Sequence, residues 1–218
     1  MTSKSLRIRE VCSMAPILPV LVVEDAANAR PLAEALVAGG LPALEVTLRT
    51  PAALDVIRAM ADLPGSVVGA GTLVMPEDVR AAKDAGAQFG VSPGATDALI
   101  AACEAEGLPL LPGAVTASEA MRLLEKGYDI LKFFPAEAAG GVPVLKALAA
   151  PLPQISFCPT GGISNANARE YLSLPNVICA GGSWVAPVKM VQGRDWAGIE
   201  ALARQAAMLS ANSASSAG

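Results

Sequence analysis

A lysine stands where a core residue belongs in the segment Asp129–Glu137, DILKFFPAE. Ile130 and Leu131 open a short apolar run, Lys132 interrupts it, and Phe133, Phe134 and Pro135 follow at once. An ammonium group among bulky apolar neighbours loses its hydration. Burial in general favours the neutral amine, which is nucleophilic, attacks carbonyl carbons and forms Schiff bases. The alternative is a strand-end lysine whose stem is buried while its charge snorkels to water. The two readings differ in what should surround the amine.

Candidate companions lie in other segments. In ALEVTLRT, residues 43–50, strand alternation puts Glu45, Thr47 and Arg49 on one face and Leu44, Val46 and Leu48 on the other. With the apolar face against helices, a carboxylate and a guanidinium aim inward. Arg49 can hold a substrate carboxylate and Glu45 can move protons. The alternative is a buried ion pair between the same two residues, against which stands that such pairs are weak stabilisers, often no better than apolar packing. In VVGAGT, residues 67–72, Val68, Ala70 and Thr72 share a face, so a small hydroxyl arrives at a strand end beside two glycines. A tight turn explains that pattern as well as a binding role does, and the dinucleotide fingerprint fails for want of a third glycine. SPGAT (92–96) and LPGAVT (111–116) read as Pro-Gly turns that leave room at a mouth. CPTGGIS (158–164) and AGGSW (180–184) put paired glycines at successive strand ends, where Gly161, Gly162, Gly182 and Ser183 fit a backbone nest for phosphate.

The bulk composition narrows the chemistry. The 218 residues contain no histidine, which excludes a Ser-His-Asp or Cys-His apparatus and any His-ligated metal. Cys12, Cys103, Cys158 and Cys179 show no metal-finger spacing and read as reduced thiols. A net charge of −4 without a basic run argues against nucleic acid as a partner. The apolar run 14–23 is too short to span a membrane, and no signal-peptide core precedes it, so a cytoplasmic protein is expected.

The elements that must position these residues alternate regularly. Strands are predicted at Ile17–Val23, Ala43–Leu48, Ser66–Gly71, Phe89–Ser92, Leu108–Leu111, Ile130–Phe134, Ile155–Pro159 and Val177–Ala180. Residues 3–13 form a short leading helix in this reading, and the last helix covers Trp196–Leu209. Pro76 with Glu77 and Asp78, the pair Thr116 and Glu119, and Ser164 mark helix starts; Gly39-Gly40, Gly86, Gly107 and Gly127 mark helix ends. Eight strand-helix units imply an α/β protein built as a closed (β/α)₈ TIM barrel, in a single domain over 1–209 with a disordered tail at 210–218. Periodicity alone leaves an open doubly wound sheet possible. In a barrel, chemistry belongs at the C-terminal ends of the strands, where these polar residues cluster.

Taken in order, LEVTLRT, GAGT, SPG, LPG, LKFFPAE, CPTGGIS and GGSW resemble the 2-keto-3-deoxy-6-phosphogluconate (KDPG) aldolase family, over about residues 14–200. That family also includes 2-keto-3-deoxy-6-phosphogalactonate and 4-hydroxy-2-oxoglutarate aldolases. The resemblance implies a metal-independent, cofactor-free class I aldolase, usually trimeric, that yields pyruvate and glyceraldehyde 3-phosphate. It implies that Lys132 is the Schiff-base lysine, Glu45 the general acid/base, and Thr160 the residue that orients the proton relay. Arg49 and Thr72 would hold the pyruvate carboxylate, Pro93 and Phe134 would line the pyruvyl pocket, and Gly161, Gly162 and Ser183 would bind phosphate. Competing readings are a different preferred substrate within the family, a phosphate-binding barrel isomerase, and a catalytically inactive binding barrel. The last would be expected to lack Lys132 or Glu45.

Overall fold

The computed structural model describes residues 3–209, and the tail expected to be disordered lies outside the described residues. Eight strands alternate with helices: β1 Ile17–Leu21, β2 Ala43–Thr47, β3 Val67–Gly71, β4 Phe89–Val91, β5 Leu110–Leu111, β6 Ile130–Phe133, β7 Ser156–Pro159 and β8 Ala180–Gly182. The helices are α1 Ser3–Ser13, α2 Ala29–Ala38, α3 Ala53–Ala61, α4 Pro76–Asp84, α5 Asp97–Ala105, α6 Ala117–Glu125, α7 Gly141–Ala149, α8 Ala168–Leu172, α9 Val188–Gln192 and α10 Trp196–Ala207. Six strands pair in the order β5-β4-β3-β2-β1-β8, and β6 pairs with β7; every pairing is parallel. Isolated parallel bridges join Gly113 to Lys132, Phe157 to Val177 and Thr160 to Gly181. The architecture is α/β with parallel strands, so the C-terminal ends of paired strands share one rim. No helix among the described residues is long and apolar enough to cross a membrane.

Alternation along the strands divides the apolar residues into two cores. Leu44, Val46, Val68, Ala70 and Leu131 pack with Leu32, Val56, Ile57, Val79 and Leu145 of the covering helices. The opposite face gathers Leu18, Ala43, Phe89, Val91, Leu111, Ile130, Cys158 and Cys179 around Ile8, Val11 and Cys12 of α1. The leading helix therefore covers the inner face of the strands, and Ser5 ties it down: its Oγ donates to Gly127 O and accepts from Asp129 N at the entry to β6. Lys132 lies two residues beyond Ile130 on that inner face, and Glu45 two beyond Ala43.

Local chemistry sets the helix ends as expected in most places. The Asp78 carboxylate accepts from the N–H groups of Val74 and Met75 ahead of Pro76. Thr116 and Glu119 form a reciprocal capping box, and the backbone N–H of Val115, with further bonds from Thr116, holds the Glu119 carboxyl below its usual range. Ser164 is a correction. The helix it was expected to cap begins later, at Ala168, with Asn167 in the cap position.

Most strand bounds fall within one or two residues of expectation, and two strands begin clearly later than expected. β5 starts at Leu110, because Leu108 N donates back to Cys103 O and still belongs to the close of α5. β8 starts at Ala180, three residues late, because regular pairing with β1 begins only there, where Ala180 N donates to Pro16 O. The short α9 between β8 and α10 was not foreseen; five residues are too few to show a helical period.

Candidate active site

Lys132 and Glu45 reach each other from β6 and β2. Lys132 Nζ lies 3.1 Å from Glu45 Oε1, with side-chain exposures of 5% and 1%. The buried ion pair is thus Glu45 with the lysine, not with Arg49. Glu45 Oε2 is buried and has no hydrogen-bond partner among the described residues. An unpartnered buried carboxylate oxygen is costly in a resting structure. Here it leaves one acceptor open beside a primary amine. The Phe134 ring, half-buried, has its centroid 5.5 Å from Lys132 Nζ.

The carboxylate fits only because β3 carries glycine. A Cβ at Gly71 would lie 2.3 Å from Glu45 Oε1, and one at Gly69 would enter the Phe89 ring. These glycines make room for the protein's own side chains. Gly71→Ala is expected to displace the carboxylate and to lower turnover about a hundredfold, since misplacement by about 1 Å is enough for that. Overpacking should cost about 1–3 kcal/mol of stability. Steady-state turnover beside thermal unfolding checks both figures, and unchanged turnover would show that Glu45 placement is not critical.

Arg49 and Thr72 are corrected in orientation but brought together. β2 ends at Thr47, whose Oγ1 donates to Leu21 O at 2.9 Å, and Thr50 Oγ1 donates to Val23 O at 2.7 Å. These two latches fix the turn that carries Arg49, which is exposed on the rim instead of pointing into the interior. Val68 and Ala70 face the helices, and Thr72 does not continue their row. It adopts φ 63°, left-handed backbone that a β-branched residue rarely takes. Such a conformation costs on the order of 1–3 kcal/mol and persists only where neighbours enforce it. Leu48 N to Gly71 O and Leu73 N to Val91 O bracket the residue, and Arg49 Nε donates to Thr72 Oγ1 at 3.2 Å. Guanidinium and hydroxyl are thereby presented as one unit.

Thr160 is buried one residue past β7, and a Cβ at Gly181 would meet its Oγ1 at 2.2 Å. Cys158 sits opposite Lys132 in the β6–β7 register. Gly161 and Gly162 form a true left-handed turn, with φ 99° and 79°. Gly182 does not: it is the last residue of β8, paired with Pro19, and a Cβ there would strike the Trp184 ring. The second glycine pair is therefore strand, not nest, and hands on to an exposed Ser183. Pro93 is exposed, and its carbonyl approaches so closely that a Cβ at Gly113 would fall 2.2 Å from it, so the two Pro-Gly turns pack on each other. Ser183 and Pro93 join the lysine and carboxylate by place on the rim, not by a hydrogen bond among the described residues.

Sequence reasoning missed a row of thiols beneath the amine. Cys179 shares hydrogen bonds with Cys12 and Cys158, which together with burial push it up. The Cys179 hydrogen bond and the Lys132 charge pull Cys158 down against its burial. The three cysteines come from segments far apart in the chain, so spacing gave no signal.

A lysine in contact with a carboxylate, under a rim bearing a guanidinium–hydroxyl unit and a glycine turn, belongs to α/β enzymes of the amine-catalysis class. Comparison with known proteins makes this specific. The sequence model of the family described as "Aldolase: KDPG and KHG aldolase" matches residues 8–202, and the chain belongs to that family. The 2-dehydro-3-deoxy-phosphogluconate aldolase of Pseudoalteromonas atlantica is 53% identical over 199 residues, covering 91% of this chain and 93% of its own. The crystal structure of the 2-keto-3-deoxy-6-phosphogluconate aldolase of Zymomonas mobilis ZM4 with 3-phosphoglycerate superposes with a TM-score of 0.88 at 50% identity, covering 93% of this chain and 96% of that one. The KDPG aldolase of Legionella pneumophila, with pyruvate captured at low pH as a covalent carbinolamine intermediate, gives 0.89 at 44% identity, covering 91% and 97%.

Proposed function

We propose that this chain is a class I aldolase that cleaves 2-keto-3-deoxy-6-phosphogluconate to pyruvate and D-glyceraldehyde 3-phosphate. The observation that carries the reading is the 3.1 Å contact between Lys132 Nζ and Glu45 Oε1, with Oε2 left unpartnered. The Lys132 amine attacks the C2 ketone, and Glu45 supplies and removes the protons of carbinolamine formation and dehydration. The iminium then accepts the electron pair of the C3–C4 bond as the C4 hydroxyl loses its proton. The aldehyde departs, and an enamine remains. Protonation at C3 and hydrolysis of the imine release pyruvate and restore Lys132. One carboxylate serves throughout, because each step returns the proton taken by the one before. The iminium is the electron sink, so this chemistry calls for neither metal nor cofactor.

The remaining roles follow from position. Arg49 and Thr72 hold the substrate carboxylate, and Thr160 orients the proton relay above Cys158. Phe134 and Pro93 bound the pyruvyl group. Gly161 and Gly162, with Ser183 at the end of β8 after Gly182, take the phosphate. The eight strands form a closed barrel in one domain ending near residue 209, a reading supported by the bridges that tie β6 to Gly113, β7 to Val177 and Thr160, just past β7, to Gly181. The family resemblance supports a cytoplasmic homotrimer, which light scattering on the purified protein tests. The negative net charge supports small anionic metabolites bound by local groups, not nucleic acid, as partners.

The decisive test is borohydride reduction with pyruvate, read by intact mass and peptide mapping. A single reduced adduct on Lys132 is expected. A folded protein that gives no adduct would rule out the Schiff-base mechanism, and an adduct on another lysine would move the site.

A further inference from the structure

The glycine turn after β7 is held from two sides by residues with no part in the chemistry above. On one side, Glu137 N donates to Gly161 O at 3.1 Å, and the Glu137 stem lies over the next residue, where a Cβ at Gly162 would be 2.4 Å from Glu137 Cγ. The Glu137 carboxylate is engaged in turn by the hydroxyl of the buried Tyr171 of α8. On the other side, Asn167 Nδ2 donates to Gly162 O at 3.1 Å, while Asn167 Oδ1 accepts from Ser164 N at 2.8 Å and Ser164 Oγ at 3.3 Å. Asn167 occupies the cap position of α8 yet makes no side-chain cap bond. An asparagine there ordinarily stabilises its helix; this one is spent on the loop instead. Because a trans peptide directs its C=O and N–H oppositely, fixing the carbonyls of Gly161 and Gly162 turns the N–H groups of Gly162 and Ile163 the other way.

We infer that Asn167 and Glu137 are positioning residues that set the donor directions of the Gly161–Ile163 turn and so determine how strongly the protein favours a phosphorylated substrate. The inference rests on the proposal that this turn takes the phosphate. Asn167→Ala should raise KM for 2-keto-3-deoxy-6-phosphogluconate about ten- to a hundredfold, the scale of one or two hydrogen bonds to a charged group, with kcat little changed. Cleavage of unphosphorylated 4-hydroxy-2-oxoglutarate and exchange of the pyruvate methyl protons into heavy water should stay at wild-type levels. Glu137→Gln, which keeps the stem over Gly162 and an acceptor for Tyr171, should behave as wild type, whereas Glu137→Ala should resemble Asn167→Ala. If Asn167→Ala does not fold, the similarly sized and uncharged Asn167→Leu removes the same donor without adding a charge beside the turn and carries the same test.

An unchanged KM in folded Asn167→Ala overturns the inference. An equal fall in all three activities also overturns it, since that marks a merely structural role. If the wild-type protein itself shows no preference for the phosphorylated substrate, the phosphate reading of the turn has failed, and the inference falls with it.

Discussion

Lys132→Met is expected to lose turnover by at least about 10⁴-fold, the scale on which removal of a covalent nucleophile acts, and to give no borohydride adduct with pyruvate. Methionine suits the apolar surroundings in volume, which by itself predicts a nearly intact fold. The structure adds a penalty, because Glu45 loses the one counter-charge it has at hydrogen-bond distance among the described residues, in a site where it is 1% exposed. Removing one member of a buried pair costs about 3–5 kcal/mol, whereas replacing both members can be neutral. Lys132→Met should therefore unfold at lower temperature than wild type, and Lys132→Met with Glu45→Gln should recover most of the difference while staying inactive. Thermal unfolding of the two variants decides this. Equal stability of the single variant and wild type would show that the pair is not energetically coupled, and near wild-type turnover would remove Lys132 from the mechanism.

Glu45→Gln should be slower than wild type by roughly 10²–10⁴-fold, the usual contribution of a positioned acid/base group. Its amide keeps the shape of the carboxylate, so the variant should still bind pyruvate and still be trapped by borohydride, only more slowly. Exchange of the pyruvate methyl protons isolates the proton transfer at C3 from cleavage of the C3–C4 bond. A fall in exchange that matches the fall in turnover is expected. Full exchange in Glu45→Gln would mean that another group carries the proton, and Thr160 with a water would then be the next residue to test.

The sequence by itself determined the residue types and the face each strand presents. Alternation in ALEVTLRT was enough to send Glu45 to the inner face, because the side-chain period of a strand is fixed at two, whereas ILKFF is apolar on both faces and left Lys132 between an interior amine and a snorkelling strand end. The strand-helix rhythm was legible for the same reason, as were the capping box at Thr116 and Glu119 and the helix-ending glycines, whose signals lie within a few residues. What the sequence could not hold was anything set by partners distant in the chain. That Glu45 pairs with Lys132 and not with Arg49 depends on bringing β2 and β6 together across 87 positions. Thr72 was placed on the wrong face because its left-handed φ is imposed by hydrogen bonds from the neighbouring loops, which no local pattern announces. Gly182 was read as a turn because glycine is ambiguous between freedom of backbone and lack of bulk, and the Trp184 ring decides for the second. The hold of Asn167 and Glu137 on the Gly161–Gly162 turn belongs to the same kind. It needs the loops after β6 and β7 to lie side by side, and only tertiary packing puts them there.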